Sequence, residues 1–216
     1  MTTPEPTPAA PAPDAAPVVR LGYHGSVEVA GRIAALAGPG RAAVRTSQYD
    51  INDPFRGVLA GELDVIVVKF SLREPELACS RVLTTDARAA VLGAAHPLAD
   101  RASVSVEELA DHDTFHCPGA LPGYVWDEVV PPYTPGGRPL RRRHRATDVA
   151  HMMELVAAGA VHLSLVSLAD VAPPGIRIVP VHDLPPAPVA LAWRRGVELP
   201  AHVAEFIAAA EREASR

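Results

Sequence analysis

The side chains in this chain that could do chemistry sit just after short apolar runs, so the first question is what those positions could hold. His24, Gly25 and Ser26 follow VVRLG and precede a helical pattern. A helix start there would aim free backbone N–H groups at a ligand, and Gly25 would let it approach closely. Ser26 serves equally as a plain helix cap, and the two roles are compatible. Thr46 and Ser47, with Gln48, follow a second run and offer hydroxyl and amide groups, or simply a polar turn. Lys69 and Phe70 follow LDVIVV. Lys69 is the only lysine among residues otherwise biased to Arg, and at a strand end it could pair with a ligand carboxylate or remain a solvated charge. Later in the chain His116 and Cys117 open a Pro/Gly-rich loop to Gly123, and Thr147, Asp148 and Val149 begin another helical pattern.

Cys117 beside His116 invites a nucleophile reading, because imidazole can favour thiolate. Adjacent residues on a strand point to opposite faces, so a small half-buried thiol is the better reading. His112, His116 and Cys117 raise the question of metal. The i, i+4 histidine spacing needs a helix, the segment reads as extended, and no second ligand pair follows; no metal is expected. The remaining histidines, His162 among them, read as surface or packing positions. Met152 and Met153 include a core position on their helix. Arg141, Arg142, Arg143 and Arg145 form the basic cluster, without aromatic interleaving, so a solvated face or partner contact is expected rather than nucleic acid. The chain has no nucleophile elbow, P-loop or dinucleotide fingerprint, and no cofactor is expected.

The elements that must position these residues alternate. Val18 to Gly22 reads as a buried strand, followed by a helix with Val29, Ile33 and Leu36 on one face and Gly38 at its end. Ala43 to Thr46 is a short strand; Asp53-Pro54 opens a helix ending at Gly61, and Leu63 to Val68 is the clearest buried strand. Parallel pairing with crossovers follows. Arg81 to Gly93 reads as extended, interrupted at Thr84, Thr85 and Asp86. Ser105 with Glu108 makes a capping box for a helix through Ala110. Asp113 to His116 and Arg141 to Ala146 read as strands, with a helical turn or two at Trp126 to Val130 between them. Thr147 caps a helix from Asp148 to Ala158. Strands at Val161 to Val166, Ile176 to Val181 and Val189 to Trp193 precede a final helix, Pro200 to Arg212.

Composition sets outer bounds. The 216 residues suffice for one large domain or two small lobes. A net charge of -5 gives no global pull toward nucleic acid. No run is long and apolar enough for a bilayer, and the N-terminus lacks a secretory pattern. Cys79 and Cys117 alone make no disulfide framework. A cytoplasmic location is expected. Residues 1 to 17 carry five Pro before position 14 and little to bury, so they read as a disordered Pro/Ala tail.

Five phrases then stand out in order: VVRLGYHGS (18 to 26), FRGVLAGELDVIVV (55 to 68), AVLGAAHPLADRASVSVEELADHDTF (90 to 115), TDVAHMMELVAAGAVHLSLVS (147 to 167), and PGIRIVPV followed by PVALAWRRG, ending at Gly196. Across roughly 18 to 212 the chain resembles the effector-binding domain of LysR-type transcriptional regulators. "GELD" and "HPLA…VSVEELADH" are the most specific parts. The resemblance implies an α/β, two-lobed, type 2 periplasmic-binding-protein-like fold of mixed, mostly parallel sheets with flanking helices. It implies lobe I at 18–94 plus 185–216, lobe II at 95–184, and a small ligand in the interlobe cleft. The sequence departs from the family in lacking a winged helix-turn-helix and linker helix, so direct nucleic-acid contact is not expected. It also departs at 159 to 167, where GAVHLSLVS replaces a Gly-rich, Pro-terminated strand.

The leading expectation is therefore a ligand sensor or regulatory subunit binding a small anion. His24, Gly25, Ser26, Thr46, Ser47, Lys69, Phe70, Cys117, Thr147 and Asp148 would face the ligand, and two helix N-termini would favour negative charge. The resemblance implies dimers, either of two copies or with a full-length regulator. The alternative is a lyase, dehydratase or isomerase of a small carboxylic acid, with His24, Lys69, His116 and Asp148 as acids and bases. A purely structural dimerisation subunit with an empty cleft is the third reading.

Overall fold

The computed structural model describes residues 17–36, 38 and 42–215, so the Pro/Ala tail lies outside the described residues apart from Pro17. In chain order the elements are β1 (Val18–Tyr23), α1 (Val27–Leu36), β2 (Ala43–Gln48), α2 (Arg56–Leu59), β3 (Val65–Lys69), β4 (Leu77–Cys79), β5 (Thr84–Asp86), β6 (Arg88–Gly93), α3 (Val106–Leu109), β7 (Asp113–Phe115), α4 (Gly123–Val129), β8 (Arg141–His144), α5 (Val149–Ala157), β9 (His162–Leu165), a 3-10 turn (Val166–Val171), β10 (Ile176–Pro180), β11 (Ala187–Arg194) and α6 (Ala201–Glu213).

These strands build separate sheets. The first runs β2-β1-β3-β11-β4, with β5 also on β11; the second runs β10-β6-β9, and β7-β8 form a small parallel pair. β1 lies parallel to both β2 and β3, as a strand–helix–strand–helix–strand start requires. β11 arrives late and antiparallel to β3, with Leu191 opposite Val67. The chain crosses between sheets twice. It leaves the first at Ala87, between β5 and β6, and returns between β10 and β11. By sheet membership the first crossing falls earlier than position 94, because all of β6 pairs in the second sheet.

Each sheet has its own core. Val19, Leu21, Ile33, Val67, Leu191 and Phe206 are buried together around the first. Leu92, Val104, Leu109, Phe115, Trp126 and Leu163 are buried around the second. The last helix belongs to the first core for a reason readable in its spacing. Val203, Phe206, Ile207 and Ala210 fall on one helical face, and all are buried. Burying one Leu or Phe of this kind is worth about 1.5–3 kcal/mol.

Several elements differ from the sequence expectation. Thr84 to Asp86 is a strand pairing β11, not an interruption; the break is at Ala87, where the chain changes sheets. β4 is a strand only because β11 offers it an edge, with Leu77 opposite Arg194. α2 shortens to a single turn at Arg56–Leu59. The cap of α5 is Asp148, whose carboxylate accepts from the His151 N–H, and Thr147 instead donates its hydroxyl to Asp148. A carboxylate at a helix start gains from the dipole as well as the hydrogen bond. The capping box at Ser105 and Glu108 is present as expected.

Candidate functional site

A cavity of about 720 Å³ opens between the two sheets. Its first wall comes from the carboxyl ends of β1 and β3 and the turns that follow them. His24 and Gly25 line it, Gly25 at φ 80°, a backbone conformation that a side chain would strain. An added Cβ there would also lie 3.0 Å from Leu168. Lys69 and Phe70 line it too, and Phe70 is the one non-glycine residue with positive φ among those described, at 70°. Holding a phenylalanine there costs roughly 1–3 kcal/mol, which the surrounding packing must offset.

Three polar side chains of this wall, Lys69, His24 and Tyr49, are tied to the protein itself. Lys69 Nζ lies 3.4 Å from Asp86 and 3.2 Å from Ser167 Oγ, with little side-chain exposure on either charge (15% and 8%). Burial pulls the Lys69 ammonium below its ordinary pKa, while Asp86 works against that shift. His24 Nδ1 lies 3.3 Å from the Tyr49 carbonyl, and the Tyr49 hydroxyl donates to the Val67 carbonyl. Burial lowers the His24 pKa; the Tyr49 carbonyl opposes this and the Lys69 charge adds to it.

The second wall comes from α4, α5, β9 and the 3-10 turn. It brings Leu121, Trp126, Val129, Met152, Met153 and Leu168 to the cavity. Two polar side chains, His162 and Ser164, stand among them. His162 is 6% exposed, stacks on Trp126 at 5.9 Å and meets the edge of Phe115 at 5.6 Å. Its Nδ1 has no hydrogen-bond partner. Burial first, then the charges of His24 and Arg88, push its pKa down to about 4, so the ring is neutral at pH 7.

Not every residue expected at the cleft arrives there. β2 continues through Gln48, so Thr46 and Ser47 are exposed edge-strand residues, and only Gln48 reaches the cavity. Ser26 is 1% exposed, its Oγ has no partner, and it lines neither cavity; the capping bond expected of it is absent. Cys117 turns its thiol to the Leu121 carbonyl at 3.2 Å, and burial raises its pKa away from thiolate. His116 and Asp148 line a smaller adjoining cavity of about 80 Å³, together with His24 and His162, while Thr147 lies outside both. Thus His24, Gly25, Lys69 and Phe70 are brought together, and the acid–base set of His24, Lys69, His116 and Asp148 is split between the two cavities.

Sequence reasoning missed His162, Trp126 and Arg88; Met152 and Met153, read as including a core position, pack against the second core and also line the cavity. The Arg88 guanidinium sits 5.0 Å over the Phe70 ring and donates to the Val129 carbonyl. A lone histidine in an apolar strand, as in VHLSL, was the available signal. Three of the four arginines in the basic cluster have acidic neighbours: Arg141 and Arg143 share Asp113 at 3.0 and 3.6 Å, and Arg142 pairs with Asp127 at 2.7 Å. Among the described residues no three His, Cys, Asp or Glu converge as a donor set for a metal. No helix among them is long and apolar enough to cross a membrane.

Backbone and side-chain bonds also bridge the two walls. The Ala120 N–H donates to the Asn52 carbonyl at 2.6 Å, the Ser71 N–H to Glu128 at 3.0 Å, and the Arg73 N–H to the Tyr124 hydroxyl at 2.8 Å.

Two α/β lobes with two crossings and a cavity between them define a two-lobed, periplasmic-binding-protein-like binding domain. The family model for the LysR substrate binding domain matches residues 40–215, and the chain belongs to that family. Among solved structures it is similar to full-length CbnR bound to its target DNA complex, at 18% identity and a TM-score of 0.70, covering 92% of this chain and 71% of that one. It is similar to the BenM effector binding domain with its effector benzoate, at 18% identity and 0.64, covering 90% of each chain. It is also similar to the effector binding domain of QuiR in complex with shikimate, at 15% identity and 0.67, covering 93% and 98%. At these identities the likeness speaks for the fold. A search of curated proteins returned no match.

Proposed function

We propose that this chain is a ligand-sensing domain whose lobes close around one small organic molecule, in the manner of a transcriptional regulator's effector domain. The observation that carries this reading is the cavity of about 720 Å³ between the sheets, lined mostly by apolar side chains with a few convergent polar groups. Its volume suits a ring compound, and the similar BenM and QuiR domains hold benzoate and shikimate. Closure of two lobes about two crossing segments is the device that would turn occupancy into a signal. The partner that goes with this reading is a second regulator subunit, either a copy of this chain or a full-length member of the family.

The test is a thermal-shift screen against aromatic and alicyclic acids, with their amides and alcohols, followed by mass spectrometry of each mixture. A sensor shows stabilisation that grows with concentration, with the compound recovered unchanged. Leu168→Trp, which pushes a larger ring into the cavity, should weaken the shift while leaving the chain folded. Consumption of a compound, or no stabilisation by any, would sink this reading.

A further inference from the structure

Resting on that sensing function, we infer that the cavity selects an uncharged ring compound with one hydrogen-bonding group, presented to the His162 imidazole, and discriminates against carboxylates. The sequence pointed to an anion through Lys69 and two helix N-termini, and the tertiary structure alters each of those features.

Lys69 is the one Lys or Arg lining the cavity among the described residues, and Asp86 already stands 3.4 Å from its ammonium. A bound carboxylate would have to share that cation with a buried carboxylate, placing two like charges in a poorly solvated site. The start of α5 is occupied by its own carboxylate, Asp148, which accepts the His151 N–H at 2.9 Å. A ligand anion there would meet a negative charge instead of a bare dipole. In the first turn of α1, Glu28 supplies negative charge and is paired with Arg32 at 3.0 Å.

The rest of the cavity favours an apolar body. Phe55, Leu121, Val129 and Leu168 line the walls, and Met152 and Met153 add adaptable thioether surface. At the same site Val27, Val149 and Val171 are large apolar side chains left 43–50% exposed, an apolar patch that a bound ring would cover.

His162 is the polar group left over. His24 is engaged with the Tyr49 carbonyl, whereas His162 Nδ1 is buried without a partner and the ring lines both cavities. Leaving a buried polar nitrogen without a hydrogen bond is unfavourable, and a ligand hydroxyl or amide would relieve it. A neutral imidazole meets such a group without burying charge.

The experiment uses the full chain at pH 7.5 with two matched series, one on a single ring and one on a fused pair. These are benzamide, benzyl alcohol, benzoate and benzylamine, then 2-naphthamide and 2-naphthoate. The expected result is stabilisation by the amides and alcohol, with apparent affinity more than about ten-fold above that for the matching carboxylate or amine. His162→Phe keeps a ring on Trp126 but removes the nitrogens, and should weaken amide binding about ten-fold. Carboxylate or amine binding equal to or tighter than the amide overturns the inference and leaves the sensing function standing. No stabilisation by any compound overturns both. Amide binding that survives intact in folded His162→Phe overturns the assignment to His162. The selectivity comparison is made on the wild-type chain, so it does not depend on the variant's folding.

Discussion

The two walls of the cavity handle polar groups in opposite ways. On the wall built from β1 and β3, three polar side chains are bound to other parts of the protein: Lys69 to Asp86 and Ser167, His24 to the Tyr49 carbonyl, Tyr49 to the Val67 carbonyl. On the wall built from α4, α5 and β9, the lining is mostly apolar and its one imidazole, His162, has a nitrogen with no partner. Charge by itself is thus a poor guide to where a ligand is read. A charge already paired inside the protein is part of the scaffold, and an unsatisfied neutral group is what a ligand can still complete.

The largest effect should come from breaking the first wall. Asp86→Asn leaves the Lys69 ammonium buried without its counter-charge, and chemical denaturation should show a loss of about 3–5 kcal/mol. The double change Lys69→Met with Asp86→Leu should recover most of it. If Asp86→Asn alone costs less than about 1 kcal/mol, the first wall is not held together by that pair.

The second wall should reveal itself through pH. His162 titrates near 6.5 when unfolded and is held down to about 4 when folded, so the unfolded chain binds the extra proton between those values. Its contribution is fully present above about pH 6.5 and is lost as pH falls toward 4, by up to about 3 kcal/mol. His24, also depressed by burial, adds to the slope with the same sign. Denaturation curves for His162→Phe across this range should be visibly flatter than for the wild type. Equal slopes would mean that the ring gains its proton without penalty.

Two smaller effects provide scale away from the cavity. Ser105→Ala removes the capping bond of α3 and a contact of 2.5 Å to Asp183, and should cost about 1 kcal/mol in thermal or chemical unfolding. Arg143→Ala, at an exposed pair with Asp113, should change stability by less than about 0.5 kcal/mol. A large effect at Arg143 would show that the β7–β8 edge carries more than a solvated charge.

Much of the fold was readable in the chain because periodicity and punctuation are local. LDVIVV marks a buried strand whatever its partners are, and Ser105 with Glu108 forms its capping box within four consecutive residues. The places where reading failed depend on distant partners. β4 needs the edge of β11 more than a hundred positions later, and Thr84 to Asp86 becomes a strand because Ala187 to Val189 pairs with it. The site was half legible for the same reason. His24, Gly25, Lys69 and Phe70 follow strands and reach the cavity, but Thr46 and Ser47 do not, since β2 runs past them.

By itself the sequence determined the alternation of strands and helices, the helix faces, and the positions where strand ends would carry polar groups. All of these follow from contacts a few residues apart. The tertiary structure alone decided which polar groups were already partnered. Lys69 meets an Asp86 lying on another strand, Asp148 turns its carboxylate to its own helix, and His162 packs between Phe115 and Trp126 with one nitrogen left over. Whether a buried group is satisfied depends on its neighbours in space, and those neighbours are chosen by packing across the whole chain.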